Sequence, residues 1–96
     1  MYKKVYEITI IFAPVSDDRL KALEEKYKKI IIDGSGGAIS SKFLPERKTF
    51  AKPIRDYHEG IITSIIFLAP PATANSLYNC LMGEQDIITF GMETLG

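Results

Sequence analysis

Lys42, Arg47, Lys48, Lys52 and Arg55 are gathered in one short stretch and interleaved with Phe43, Phe50 and Tyr57. Cationic side chains beside aromatic rings suit a phosphate backbone and its unstacked bases: the charges neutralise phosphates and the rings offer stacking faces. The same charges also protect an exposed strand edge from pairing with other chains. Spacing alone leaves both readings open. Lys3 and Lys4 would extend the basic patch from the start of the chain.

Other residue types that could do chemistry are sparse. His58 is the sole histidine, in the polar run Arg55-Asp56-Tyr57-His58-Glu59, where a surface histidine is expected. A catalytic histidine needs an orienting carboxylate and a positioned nucleophile. Cys80, the sole cysteine, falls near a helix's apolar stripe and reads as a small hydrophobe. One cysteine permits neither an internal disulfide nor a cysteine zinc site, which fits a reducing compartment. The acidic residues form no metal-ligand spacing, and no cofactor is expected. Gly34-Ser35-Gly36-Gly37 resembles a phosphate cradle in composition only. Phosphate loops precede a helix, whereas this one follows one and reads as a C-terminal cap and turn.

The elements that must position these residues follow from periodicity. Gly60 to Leu68 is β-branched and apolar on both faces, with Ile61, Ile65 and Phe67 on one and Ile62, Ile66 and Leu68 on the other. That pattern belongs in the middle of a sheet, and Pro70-Pro71 closes it. Val5 to Phe12 is a strand with Tyr6, Ile8, Ile10 and Phe12 on one face. Ser16-Asp17-Asp18 supplies helix-cap residues, and Leu20, Leu23, Tyr27, Ile30 and Ile31 recur at helical spacing as far as Asp33-Gly34. A second strand runs from Ala38-Ile39 to Leu44, is interrupted at Pro45-Glu46, and resumes from Arg47 to Ile54. Its proline and its charges mark an edge with a bend or bulge. Arg55 to Glu59 reads as a polar turn. A second helix covers about Thr73 to Met82, with Ala74, Leu77, Tyr78, Leu81 and Met82 as its stripe and Gly83 as its stop. Glu84-Gln85-Asp86 turns into a last strand from Ile87 to Met92 or slightly beyond.

The order strand, helix, strand, strand, helix, strand with right-handed crossovers predicts an α+β, ferredoxin-like βαββαβ sandwich. Its four-stranded antiparallel sheet carries both helices on one face, with the first and third strands central. Residues 1–96 suffice for a single domain. Twelve basic residues balance twelve acidic ones, so any nucleic-acid surface must be local. No apolar run reaches the roughly 20 residues of a membrane span, and the N-terminus enters a strand pattern without a signal peptide, so a cytosolic protein is expected. The uncovered sheet face is apolar enough to call for a second copy or another protein. A reader that stacks bases on its sheet carries a Lys/Arg-Gly-Phe-type motif on a central strand. The run Ile61-Ile62-Thr63-Ser64-Ile65-Ile66-Phe67 has none.

Taken in order, Tyr6-Glu7-Ile8-Thr9-Ile10-Ile11, Pro14, the long helix, Gly36-Gly37-Ala38-Ile39, Arg47-Lys48-Thr49-Phe50-Ala51-Lys52-Pro53-Ile54 and Gly60 resemble the family of the sixth protein of the bacterial small ribosomal subunit. The resemblance spans the chain and rests on collinearity. It implies the ferredoxin-like fold, no catalysis, and binding to the central domain of small-subunit rRNA with the eighteenth small-subunit protein. It also implies RNA contacts at Arg47 and Lys48 in the basic strand and at Lys3 and Lys4 before Tyr6-Glu7. The chain departs from the family pattern at Pro45-Glu46, where a Trp-Gly-like pair is usual, at Ile61, where an aromatic is common, and at Ile87-Ile88-Thr89-Phe90, which lacks the usual arginine. It ends at Gly96 without a tail, and a divergent member with a reduced RNA footprint is expected. A different class remains open on the residues alone: a ligand-binding or regulatory module that self-associates through its open sheet face.

Overall fold

The computed structural model describes residues 3–33 and 38–96, with residues 40–43 described by backbone alone. Six elements follow in the expected order: β1 (Lys4–Phe12), α1 (Asp17–Asp33), β2 (Ala38–Ile54), β3 (Tyr57–Ala69), α2 (Pro71–Met82) and β4 (Ile87–Thr94). The antiparallel sheet has the order β2-β3-β1-β4, so β1 and β3 are central and β2 is an edge.

Alternation along the central strands decides which face is covered. Tyr6, Ile8, Ile10 and Phe12 stand opposite Phe67, Ile65, Thr63 and Ile61, and all eight are buried. Leu20, Leu23, Tyr27 and Ile31 of α1 and Ala74, Leu77 and Leu81 of α2 complete this core, and the Tyr6 and Phe67 rings stack with centroids 5.4 Å apart. Emptying a site in such a packed interior, as in Leu23→Ala, costs about 2–5 kcal/mol. On the other face Val5, Ile11, Ile62, Ile66 and Leu68 are half-buried around a polar centre, where Thr9 Oγ1 and Ser64 Oγ lie 3.1 Å apart.

Local chemistry explains the helix ends. Ser16 Oγ accepts the Arg19 N–H at 3.2 Å, capping α1, while Asp17 and Asp18 complement its positive end. Helix α2 begins earlier than Thr73, because Pro71 fits the first helical turn, where its missing N–H has no partner to lose. Its stripe is also narrower than expected: Tyr78 and Met82 are exposed, and Ala74, Leu77 and Leu81 carry the contact. Tyr78 instead meets the Phe90 ring edge-on at 5.1 Å. The α2–β4 turn is tied to α1 through Glu84, whose mostly buried carboxylate receives Arg19 at 3.4 Å, Lys26 at 3.6 Å and the Tyr27 hydroxyl at 3.5 Å.

The hairpin of β2 and β3 differs most from expectation. The turn is Arg55-Asp56 alone, both with positive φ (49° and 69°), and Tyr57, His58 and Glu59 belong to β3. Two left-handed residues match the twist of a tight hairpin, a conformation usually signalled by Asn-Gly or Asp-Gly. Strand β2 runs unbroken past Pro45, with the expected irregularity seen as a register shift between Phe43 and Glu46. The Gly34-Ser35-Gly36-Gly37 turn lies outside the described residues.

Candidate nucleic-acid interface

Strand β2 places the basic residues along the outer edge of the sheet. Arg47 stands opposite Ile61 and Lys48 opposite Gly60, so their side chains leave opposite faces of the strand. Arg47 lies on the helix side. Its Nη2 donates to the Val15 carbonyl and to Asp17 Oδ1, each at 2.9 Å, joining the edge to the loop before α1. Lys48 lies on the open side, 3.9 Å from Glu46 Oε2. Lys52 is exposed farther along the hairpin. Lys42 pairs through its backbone with Ile65, four residues from Ile61 on β3, and its side chain is outside the described set.

Three expected members stand apart. Arg55, at the hairpin tip, borders a cavity of about 280 Å³ with Tyr78, Met82, Glu84 and Phe90. Lys4 is opposite Ala69, whereas Phe12 is opposite Ile61, the neighbour of Arg47. At about 3.3 Å per residue, Lys4 is therefore roughly 26 Å along the sheet from the level of Arg47. Lys3 and Lys4 form a separate pole and do not extend the Arg47–Lys48 patch.

The aromatic side chains divide as well. Phe50 is half-buried, because its ring tip covers Gly60 and reaches toward Ile11. Its ring tip is committed to the sheet. Tyr57 is exposed near the tip, and Phe43 has no described side chain. Between Pro14 and the hairpin a cavity of about 130 Å³ is lined by Arg47, Lys48, Thr49, Glu59 and Gly60. Arg47, Thr49 and Glu59 border it from the helix side, and Lys48, whose side chain leaves the other face, borders it along the strand. Asp17, 30 residues from Arg47 in sequence, is a neighbour of that side chain that the sequence reading missed. Its role there as a helix-cap residue gave no sign of a partner across the fold.

His58 is exposed on β3, and Cys80 is half-buried on α2. Among the described residues no cluster of histidine, cysteine and carboxylates has metal-binding geometry, and no helix is long and apolar enough to cross a membrane.

A family model described as Ribosomal protein S6 matches residues 5–92. The small ribosomal subunit protein bS6 of Lactobacillus acidophilus is 40% identical over 88 residues, covering 91% of this chain and 89% of that protein. The bS6 of Exiguobacterium sibiricum is 30% identical over 84 residues, covering 86% and 87%. Among solved structures, 30S ribosomal protein S6 from Thermotoga maritima matches with a TM-score of 0.87 at 28% identity, over 96% of this chain and 87% of that one. An uncharacterized protein from the same organism matches at TM-score 0.53 and 15% identity, over 98% and 99% of the two chains, a likeness of fold alone.

Proposed function

The chain belongs to the ribosomal protein S6 family, and from that premise we propose that it binds the central domain of small-subunit rRNA together with the eighteenth small-subunit protein. Its role is that of a structural, non-enzymatic constituent of the small ribosomal subunit in the cytoplasm. The observation that carries the reading is the family match from residue 5 to residue 92, joined to a fold that agrees over 96% of this chain.

The RNA contact proposed is the β2 edge, with Arg47 and Lys48 at its centre, Lys42 and Lys52 along the strand and Arg55 at the tip. Because Arg47 and Lys48 leave opposite faces, the edge can engage phosphates on both sides of a strand. Lys3 and Lys4 form a second, distant contact. The protein partner covers the open sheet face, where Ile62, Ile66 and Leu68 are half-buried without a helix above them.

Binding of a small-subunit rRNA central-domain fragment, with and without the partner protein and across a salt series, tests this reading. Affinity should rise with the partner and fall steeply with salt. Arg47→Ala with Lys48→Ala should flatten the log–log salt slope by about 1.4–1.8, close to one unit per lost phosphate contact. Unchanged affinity and slope would remove the β2 edge as the RNA site.

A further inference from the structure

Arg47 is distinguished from the rest of the basic edge by what already holds it. One nitrogen, Nη2, makes both of its bonds, to the Val15 carbonyl and to Asp17 Oδ1. Among the described residues, Nε and Nη1 take no partner. Asp17 is 92% exposed and Arg47 54% exposed, so the ion pair stands in solvent. Exposed pairs of this kind contribute about 0–1 kcal/mol. That is enough to bias where a guanidinium points and too little to resist a better anion. A phosphodiester is such an anion, since its two free oxygens match the guanidinium fork.

The helix does not depend on Asp17 for its cap. Ser16 supplies the side-chain acceptor, through the Arg19 N–H. The Asp17 carboxylate is therefore free to leave Arg47 and rotate into water without unwinding the first turn of α1. The Val15 carbonyl can keep its bond while the other donors turn to a new partner, because a guanidinium carries five N–H groups.

We propose that Asp17 is an internal stand-in for phosphate. In the free protein it holds Arg47 against the head of α1, and RNA engages Arg47 by displacing the carboxylate. This rests on the RNA contact of Arg47 proposed above. Asp17 thus lowers the affinity of the edge for any anion and keeps the arginine aimed until a phosphate arrives. A carboxylate left beside the incoming phosphate also repels it, which favours its departure.

The test measures the affinity of the rRNA central-domain fragment for the full chain and for D17N, D18N, R47Q and D17N/R47Q, with circular dichroism confirming the fold of each. Asp18 is the charge control: it neighbours Asp17, is exposed, and has no bond to Arg47 among the described residues. D17N should bind about two- to fivefold tighter, the range an exposed ion pair allows. D18N should change binding by less than about twofold, and D17N should add nothing in the R47Q background. Equal gains from D17N and D18N would overturn the proposal, as would a D17N gain that survives R47Q. If R47Q weakens binding and D17N is neutral, the exchange is wrong while the RNA contact stands. If R47Q alone leaves binding unchanged, the RNA contact fails and the exchange fails with it.

Discussion

The ring tip of Phe50 and the backbone of Gly60 are in such close apposition that position 60 has no room for a side chain. A Cβ placed there would lie 2.8 Å from Phe50 Cζ and 2.8 Å from the carbonyl oxygen of Phe12. The phenylalanine ring could rotate away, but the carbonyl belongs to the central strand and cannot. Gly60→Ala should therefore destabilise the fold by about 1–3 kcal/mol, the usual range for overpacking. Urea denaturation of Gly60→Ala, Phe50→Leu and the pair would check this. The double variant should recover only part of the loss, since the Phe12 contact persists.

Alkaline pH should act through Tyr27. Burial raises the pKa of its phenol well above the ordinary tyrosine value, and the neighbouring Glu84 carboxylate pushes it the same way. The folded chain thus keeps a proton that the unfolded chain releases near pH 10. This contribution is fully present below about pH 10 and is lost as pH rises toward the folded value. Thermal unfolding followed between pH 8 and 11 should show stability falling above about 10, and more shallowly in Tyr27→Phe. An identical alkaline decline in both proteins would assign it to other groups.

The open face predicts a separation of folding from assembly. Ile66 is half-buried on the solvent side of β3, with Glu7 opposite it on β1. Ile66→Lys places a cation beside that carboxylate, so stability should move by no more than about 1 kcal/mol. A partner covering the same face would bury the new charge, and its affinity should fall at least tenfold. Titration of the eighteenth small-subunit protein against both forms checks this, with light scattering of each alone. Unchanged partner affinity would place the docking surface elsewhere.

Much of the scaffold could be read before the structure, because its signals are strong and local. The double-sided apolar run around Ile61–Leu68 required a central strand, Ser16 and the stripe beginning at Leu20 required a capped helix, and Pro45 required an irregular edge. The failures have equally physical causes. Arg55-Asp56 adopts left-handed geometry without the glycine that usually announces it, so Tyr57, His58 and Glu59 appeared to belong to the turn and the hairpin three residues shorter than it is. Tyr78 and Met82 keep helical spacing, yet one sheet-facing apolar residue per turn, Ala74, Leu77 and Leu81, suffices for a helix as short as α2. Lys3 and Lys4 are near the basic stretch in composition and at the opposite end of the sheet in space, a relation set by antiparallel register. The Arg47–Asp17 bond depends on how α1 is set against β2, which no local pattern encodes.

The strand order also governs how the chain comes together in time. β1 is made first, yet it lies between β3 and β4, and Tyr6 finds Thr94 as its partner on one side. A growing chain can offer β1 one neighbour once β3 is complete and the second only when nearly all 96 residues have been joined. Closure across so long a loop is slow relative to local structure formation. Until β4 arrives, the free side of β1 is a row of unpaired N–H and C=O groups. The final commitment to the fold is therefore made by β4, the last of the six elements to emerge.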